Sequence, residues 1–257
     1  MNRSQFVTYW TGKDIEKENP SNKTDEYFDR LWSILDEGIW MNLNDEISHG
    51  WDVQWGKASD LIMTIPMVCF TELRLSQSKT HYTKYGHLGY VFDRQFVLDR
   101  LGAPVLYVRS HYHENIVGNL AQIGMIITIL KQNRILLQDQ SNPGAPPIDL
   151  GDFLDKTLSL PIAHIKAMST PYKDDFIYLE ENEWRIVHSV KLEQSGLIYR
   201  TEQEPPPYKL PFSSKDIKMI IVPNLSLRNQ MRSKKNIIDW FDGVFPPILT
   251  VDEISEF

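Results

Sequence analysis

The chain of 257 residues holds a single cysteine, Cys69. One thiol cannot form an internal disulfide, and so little cysteine fits a reducing compartment. Long apolar runs are also missing. The best stretch, Ile123-Gly124-Met125-Ile126-Ile127-Thr128-Ile129-Leu130, is far shorter than the ~20 residues of a membrane-spanning helix and reads as a buried element. Met1 leads into polar residues rather than an apolar signal region, so secretion is not expected and the cytoplasm is the expected location. Positive charge is not in excess either. A net charge of −7 argues against indiscriminate nucleic-acid binding.

Familiar catalytic signatures are absent as well. The chain has no G-x-x-x-x-G-K-[ST] loop, no G-x-S-x-G elbow and no G-x-G-x-x-G turn. His111-Tyr112-His113 would put two imidazoles on one strand face, but no third ligand stands at a recognisable spacing, so no metal is expected. Cys69 lies within an apolar run, which favours a buried structural thiol over a nucleophile.

What is present is an ordinary globular composition, 42% hydrophobic with seven tryptophans, enough for a sizeable core without disulfides or metals. Phe6 to Trp10 reads as a first strand ending at Thr11-Gly12. A helix follows from Asp25, with Tyr27, Phe28, Leu31, Trp32, Ile34 and Leu35 at helical spacing, and Gly38 stands at its C-cap. Ile39 to Met41 leaves that cap extended. Ile62 to Phe70 is an apolar run that contains Pro66, hence an edge strand or a strand entered through the proline. Leu73 to Lys79 reads as a polar link, Tyr82 to Gly86 as a turn, and Leu88 to Phe92 as a strand. Asp93 suits the N-cap of a short helix from Arg94 to Leu101, and Val105 to Val108 is a strand. Glu114 to Asn133 is the longest helical candidate, Gln140 to Pro147 a loop, and Ile217 to Val222 the last strong strand, ahead of a helix around Asn236 to Phe241. Strands dispersed among helices give an α+β class. One domain over 1–257 is expected, with a helical insertion near 112–168.

Chemistry concentrates at Tyr178-Leu179-Glu180-Glu181-Asn182-Glu183-Trp184-Arg185-Ile186-Val187-His188. On a strand, Glu181, Glu183 and Arg185 share one face. Two carboxylates at a strand start suit the stabilisation of a cation or the orientation of a hydroxyl. A solvated edge with a surface ion pair, worth ~0–1 kcal/mol, explains the same residues. Leu197 to Arg200 is expected to return against this strand as a hairpin. A basic cluster, Arg228, Arg232, Lys234 and Lys235, fits either a nucleic-acid contact or a solvated helix face.

The order of Tyr9-Trp10-Thr11-Gly12, then Cys69-Phe70-Thr71-Glu72, then Glu181-Asn182-Glu183 resembles the layout of ADP-ribosyltransferase toxins. A second likeness covers most of the chain. Tyr9 to Asp14, Ile65 to Leu73, Tyr85 to Tyr90 with Gly102 to Tyr107, and Glu181 to Arg185 resemble the AbiGi-type abortive phage-resistance proteins, a family usually labelled the antitoxin half of a bacterial antiphage pair. The resemblances imply an ADP-ribosyltransferase-like split β-sheet core with helical elaborations and NAD as co-substrate. Glu183 would stabilise positive charge on the ribose as nicotinamide leaves, and Glu181 would orient or deprotonate the acceptor. Tyr9, Thr11 and Gly12 would line the cofactor cleft, Thr71 would brace the glutamate, and Tyr82 or Tyr85 would stack on nicotinamide. Tyr82 and Tyr85, three apart, equally fit simple packing. Two roles stand open: a toxin that modifies RNA or protein, and a non-enzymatic antitoxin that neutralises a cognate toxin encoded nearby.

Overall fold

Alternation makes Phe6–Thr11 the first strand, β1, burying Val7 and Trp10 on opposite faces. In the computed structural model, residues 5–16, 23–52, 57–72, 74–108, 126–127, 129–138, 144, 146–167, 179–202 and 208–255 are described. A short helix, α1 (Lys13–Glu16), follows β1, and α2 (Thr24–Glu37) comes next. Its buried residues Tyr27, Leu31, Ile34 and Leu35 fall one turn or two apart and form a single stripe. Gly38 ends it with φ +91°, and its N–H donates to the Ile34 carbonyl at 3.0 Å. A Cβ there would meet the Leu210 carbonyl oxygen at 2.6 Å, so only glycine closes this helix against its neighbour.

The chain then forms a long strand, Asn42–Asp52, paired with a longer one, β2 (Lys57–Thr71). Pairing of β2 with the acidic strand begins at Met67, immediately after Pro66. Helix α3 (Lys79–Tyr85) leads into β3 (Leu88–Asp93), where Asp93 caps α4 (Arg94–Leu98) by accepting from the Gln95 N–H at 2.9 Å. Next come β4 (Ala103–Pro104), β5 (Glu183–Val187), β6 (Ile217–Val222), α5 (Leu225–Ser233), β7 (Ile248–Thr250) and α6 (Val251–Ser255).

These strands form one sheet in the order β7-β6-β3-β1-β2-β5-β4. Neighbours are antiparallel where β1 meets β2 and β3, and where β5 meets β2 and β4; β6 and β7 run parallel. The fold is therefore α+β. Register fixes which side chains share a face. Thr8 stands opposite both Thr71 and Val91, and Thr71 stands opposite Glu183. Thr8, Trp10, Val91, Cys69, Thr71, Glu183 and Arg185 thus project from one face. Val7, Tyr9, Tyr90, Phe92, Phe70, Trp184 and Ile186 project from the other. The second face carries the larger core, closed by Leu31, Ile34 and Leu35 of α2 and Leu227 and Met231 of α5. On the first face a smaller cluster joins Trp10, Val91 and Ile221 to Tyr82 of α3 and to Val251 and Ile254 of α6.

Three sequence expectations about these elements differ from the structure, the first being the helix from Arg94, which ends at Leu98 and not Leu101. Where a polar link and a turn are expected, Leu75–Gln77 is a 3-10 turn and Lys79–Tyr85 is α3. Tyr199–Arg200 does not return to the acidic strand. It pairs with Tyr208–Leu210, which pairs in turn with Ile39–Trp40. The helix Val190–Gln194, capped by Ser189 accepting from the Leu192 N–H, turns the chain away first.

The chain divides into two compact units, Met1–Asn42 with Met67–Pro104 and Glu181–Phe257, and Leu43–Pro66 with Val105–Glu180. In the second, Leu106–Val108 pairs in parallel with Ile165–Ala167, Leu136–Leu137 pairs with Ile148–Asp149, and a helix spans Leu150–Ala163. The segment 112–168 falls in this unit, and its residues 112–125 lie outside the described residues, as do His111 and His113.

Candidate functional site

Glu183 and Arg185 lie two apart on β5 and share its face, and the guanidinium folds back on the carboxylate. Arg185 Nε donates to Glu183 Oε1 at 2.8 Å and Nη2 to Oε2 at 3.3 Å. Arg185 is 1% exposed and Glu183 7%. The pair is therefore a buried, fork-shaped ion pair and not a surface one. β5 is not at the sheet edge either, since β4 covers Trp184 and Arg185 on the side away from β2. Breaking such a pair from one side costs about 3–5 kcal/mol, because the surviving charge stays buried.

Glu181 reaches the same neighbourhood by a different route. It ends a 3-10 turn, Leu179–Glu181, and does not belong to the strand. Asn182 follows at φ +41°, a left-handed conformation that asparagine tolerates well. Its carbonyl accepts from the Glu72 N–H at 3.0 Å, which keeps the kinked residue tied to β2. The buried Glu181 carboxylate accepts from Lys84, and its Oε1 accepts from the Tyr85 hydroxyl at 2.9 Å. Burial, with Glu181 and Glu183 adding to it, pushes the Tyr85 phenol far above its ordinary range. That phenol remains a donor at any physiological pH.

α3 carries the covering groups. Its C-terminal Gly86 has φ +111°, and its N–H donates to the Tyr82 carbonyl at 2.9 Å. A Cβ at Gly86 would lie 2.4 Å from both the Thr11 carbonyl oxygen and the Lys13 nitrogen. Tyr82 points into the apolar part of the layer, 6.0 Å from the Trp10 ring and 5.3 Å from the His87 ring. His81 is buried, and its ring centre lies 5.9 Å from that of Tyr85.

The proposed site residues thus separate. Glu181, Glu183, Thr71, Tyr82 and Tyr85 belong to one face of the sheet and the layer over it. Tyr9 and Thr11 project from the opposite face. There Tyr9 packs against Phe70 and Tyr90, and burial pushes its phenol up to about 12. The Thr11 hydroxyl accepts from Arg30 at 3.2 Å, and Arg30 also grips Asp14 at 2.6 Å, holding that carboxyl below its ordinary value. Gly12, at φ +100°, lies under Tyr27, whose ring would meet a Cβ at 2.7 Å. Residues the sequence reading passed over stand in their place: Thr8, His81 and Lys84. For His81 and Lys84 the signal was the spacing of His81, Tyr82 and Tyr85 before Gly86, one helical turn and its cap; Thr8 had only its place on β1.

Of the basic cluster, Arg228 faces inward, with Nη1 2.8 Å from both carboxylate oxygens of Glu253. Arg232, Lys234 and Lys235 are exposed. Among the described residues, no group of three or more His, Cys, Asp or Glu could hold a metal ion, and no helix is long and apolar enough to cross a membrane.

A family model described as "Putative abortive phage resistance protein AbiGi, antitoxin" matches residues 57–223, more than half of the chain. No curated protein and no solved structure matches it.

Proposed function

From the premise that the chain belongs to the AbiGi family of abortive phage resistance proteins, we propose that it is the antitoxin of a toxin–antitoxin pair and neutralises its toxin by contact. The family description carries this reading. The site agrees with it. A carboxylate that stabilises a ribosyl cation must meet the substrate, whereas Glu183 is buried against Arg185 and Glu181 against Lys84 and Tyr85. A charge-balanced layer of this kind specifies a shape, which is what a contact inhibitor presents. Inducing the chain alone in bacteria should leave growth unchanged, and co-induction should rescue cells from the toxin encoded beside it. Growth arrest by the chain alone would overturn this reading.

One observation favours a second reading, an ADP-ribosyltransferase-like core that cleaves NAD. Thr71, Tyr85, Glu181 and Glu183 come from distant parts of the sequence and gather at one layer of the sheet. In that reading Glu183 stabilises the ribosyl cation, Glu181 activates the acceptor, and Arg232, Lys234 and Lys235 steer an RNA target; a protein acceptor would not need them. Nicotinamide release from NAD by the purified chain tests it, with no release excluding it. Glu183→Gln alone does not, because it also leaves Arg185 without its carboxylate.

A further inference from the structure

His81 is 4% exposed, and both of its ring nitrogens are shielded from solvent without a hydrogen-bond partner. Leaving buried polar atoms unsatisfied costs about 1–3 kcal/mol, and native folds keep few of them. The groups around the imidazole show what it can gain. On α3 itself stand Lys84 and Tyr85. From the 3-10 turn, the Glu181 carboxylate acts on it, and from β5 Glu183 acts more weakly. β1 contributes the uncharged Thr8 and Trp10 to this layer. α1, which also packs on α3, contributes Lys13, already donating to the Thr83 carbonyl at 2.6 Å and to Glu16 at 3.3 Å. His87, just past the helix, pairs with Glu16 at 2.6 Å.

We propose that His81 is a proton-operated release for α3: the protonated imidazole draws the Glu181 carboxylate away from Lys84 and Tyr85, and the C-terminal half of the helix loses those two contacts. The exchange is feasible because the competing partners differ. The Lys84 side chain is 45% exposed, so its ammonium returns to water at little cost. Recruiting Glu183 instead would break its two hydrogen bonds with the buried Arg185. Tyr85 keeps its proton and needs another acceptor once Glu181 has moved. Burial holds His81 below the ordinary imidazole value, with Glu181 working against that effect and Lys84 adding to it. The unfolded or released state therefore takes up the proton first as pH falls. Release belongs to the mildly acidic side of neutrality and is lost above it.

Hydrogen exchange on the full chain tests the release, with α5 as the internal control. Between about pH 7.5 and about pH 5.5, after correction for intrinsic rates, amides of α3 should lose about tenfold more protection than those of α5, equivalent to ~1.4 kcal/mol. In His81→Gln that excess should vanish. An equal excess in the variant, or none in the native chain, overturns the proposal. The native chain also offers a readout that needs no variant. Its His81 imidazole resonances should titrate in step with the α3 amide shifts, and an imidazole that titrates without moving them overturns the proposal too.

Discussion

The two faces of the sheet bury their side chains by opposite means. On one, Phe70, Phe92 and Phe96 pack ring to ring, with Phe92 and Phe96 stacked at 4.5 Å and Phe70 edge-on to Phe92 at 5.8 Å. On the other, the residue beside Phe70 in sequence, Thr71, stands opposite a buried glutamate. Apolar packing tolerates substitution in proportion to lost volume. A charged layer tolerates the loss of both partners better than the loss of one. Moving one residue along β2 therefore crosses from one regime to the other.

The sharpest break of the comparison is at Arg185. Arg185→Met should destabilise the chain by about 3–5 kcal/mol, as much as Phe70→Ala on the apolar face, also about 3–5 kcal/mol. The double variant Glu183→Leu with Arg185→Met should regain most of that loss, whereas no second substitution beside Phe70→Ala will, as read from denaturant unfolding midpoints. A double variant no more stable than Arg185→Met would show that the layer is not governed by charge pairing. Next in size is Tyr85→Phe, which removes one donor to Glu181 and should cost about 1.5 kcal/mol. A smaller effect is expected from pH. Because folding lowers the His81 value, stability is full above about pH 6.5 and declines as pH falls from there toward the folded value. His81→Gln should flatten that part of the profile, and an unchanged slope would assign it to other groups. Least of all, Thr11→Val should cost under about 1 kcal/mol, since it removes one hydrogen bond from Arg30 on a part-exposed site while Asp14 keeps its grip.

The same contrast explains what the sequence disclosed. Short apolar, β-rich runs made β1, β3 and β6 legible, alternation made β5 legible, and helical spacing with a glycine stop made α2 legible. The Asp93 cap was visible because a short polar side chain before Arg94 has one obvious use. The sharing of a face by Glu183 and Arg185 followed from alternation alone. Its burial did not, because burial depended on β4 and α3 arriving from elsewhere. The left-handed Asn182 also broke the simple count that put Glu181 on the strand. α3 escaped because its seven residues, KTHYTKY, mix polar groups on both sides, as a helix must when one flank meets tryptophan and the other a carboxylate. The opposite faces of Tyr9 and Thr71 were open to inference only once the Thr8–Thr71 register was known.

Gly86 gives the arrangement an outcome that a selection experiment can read. The helix bearing His81, Tyr82, Lys84 and Tyr85 touches the end of the first strand through a backbone with no room for a single added methyl. A library randomised at codon 86 should return glycine almost exclusively, while the exposed codons 80 and 83 drift. The narrowest tolerance in this layer would then fall on a residue with no chemistry of its own.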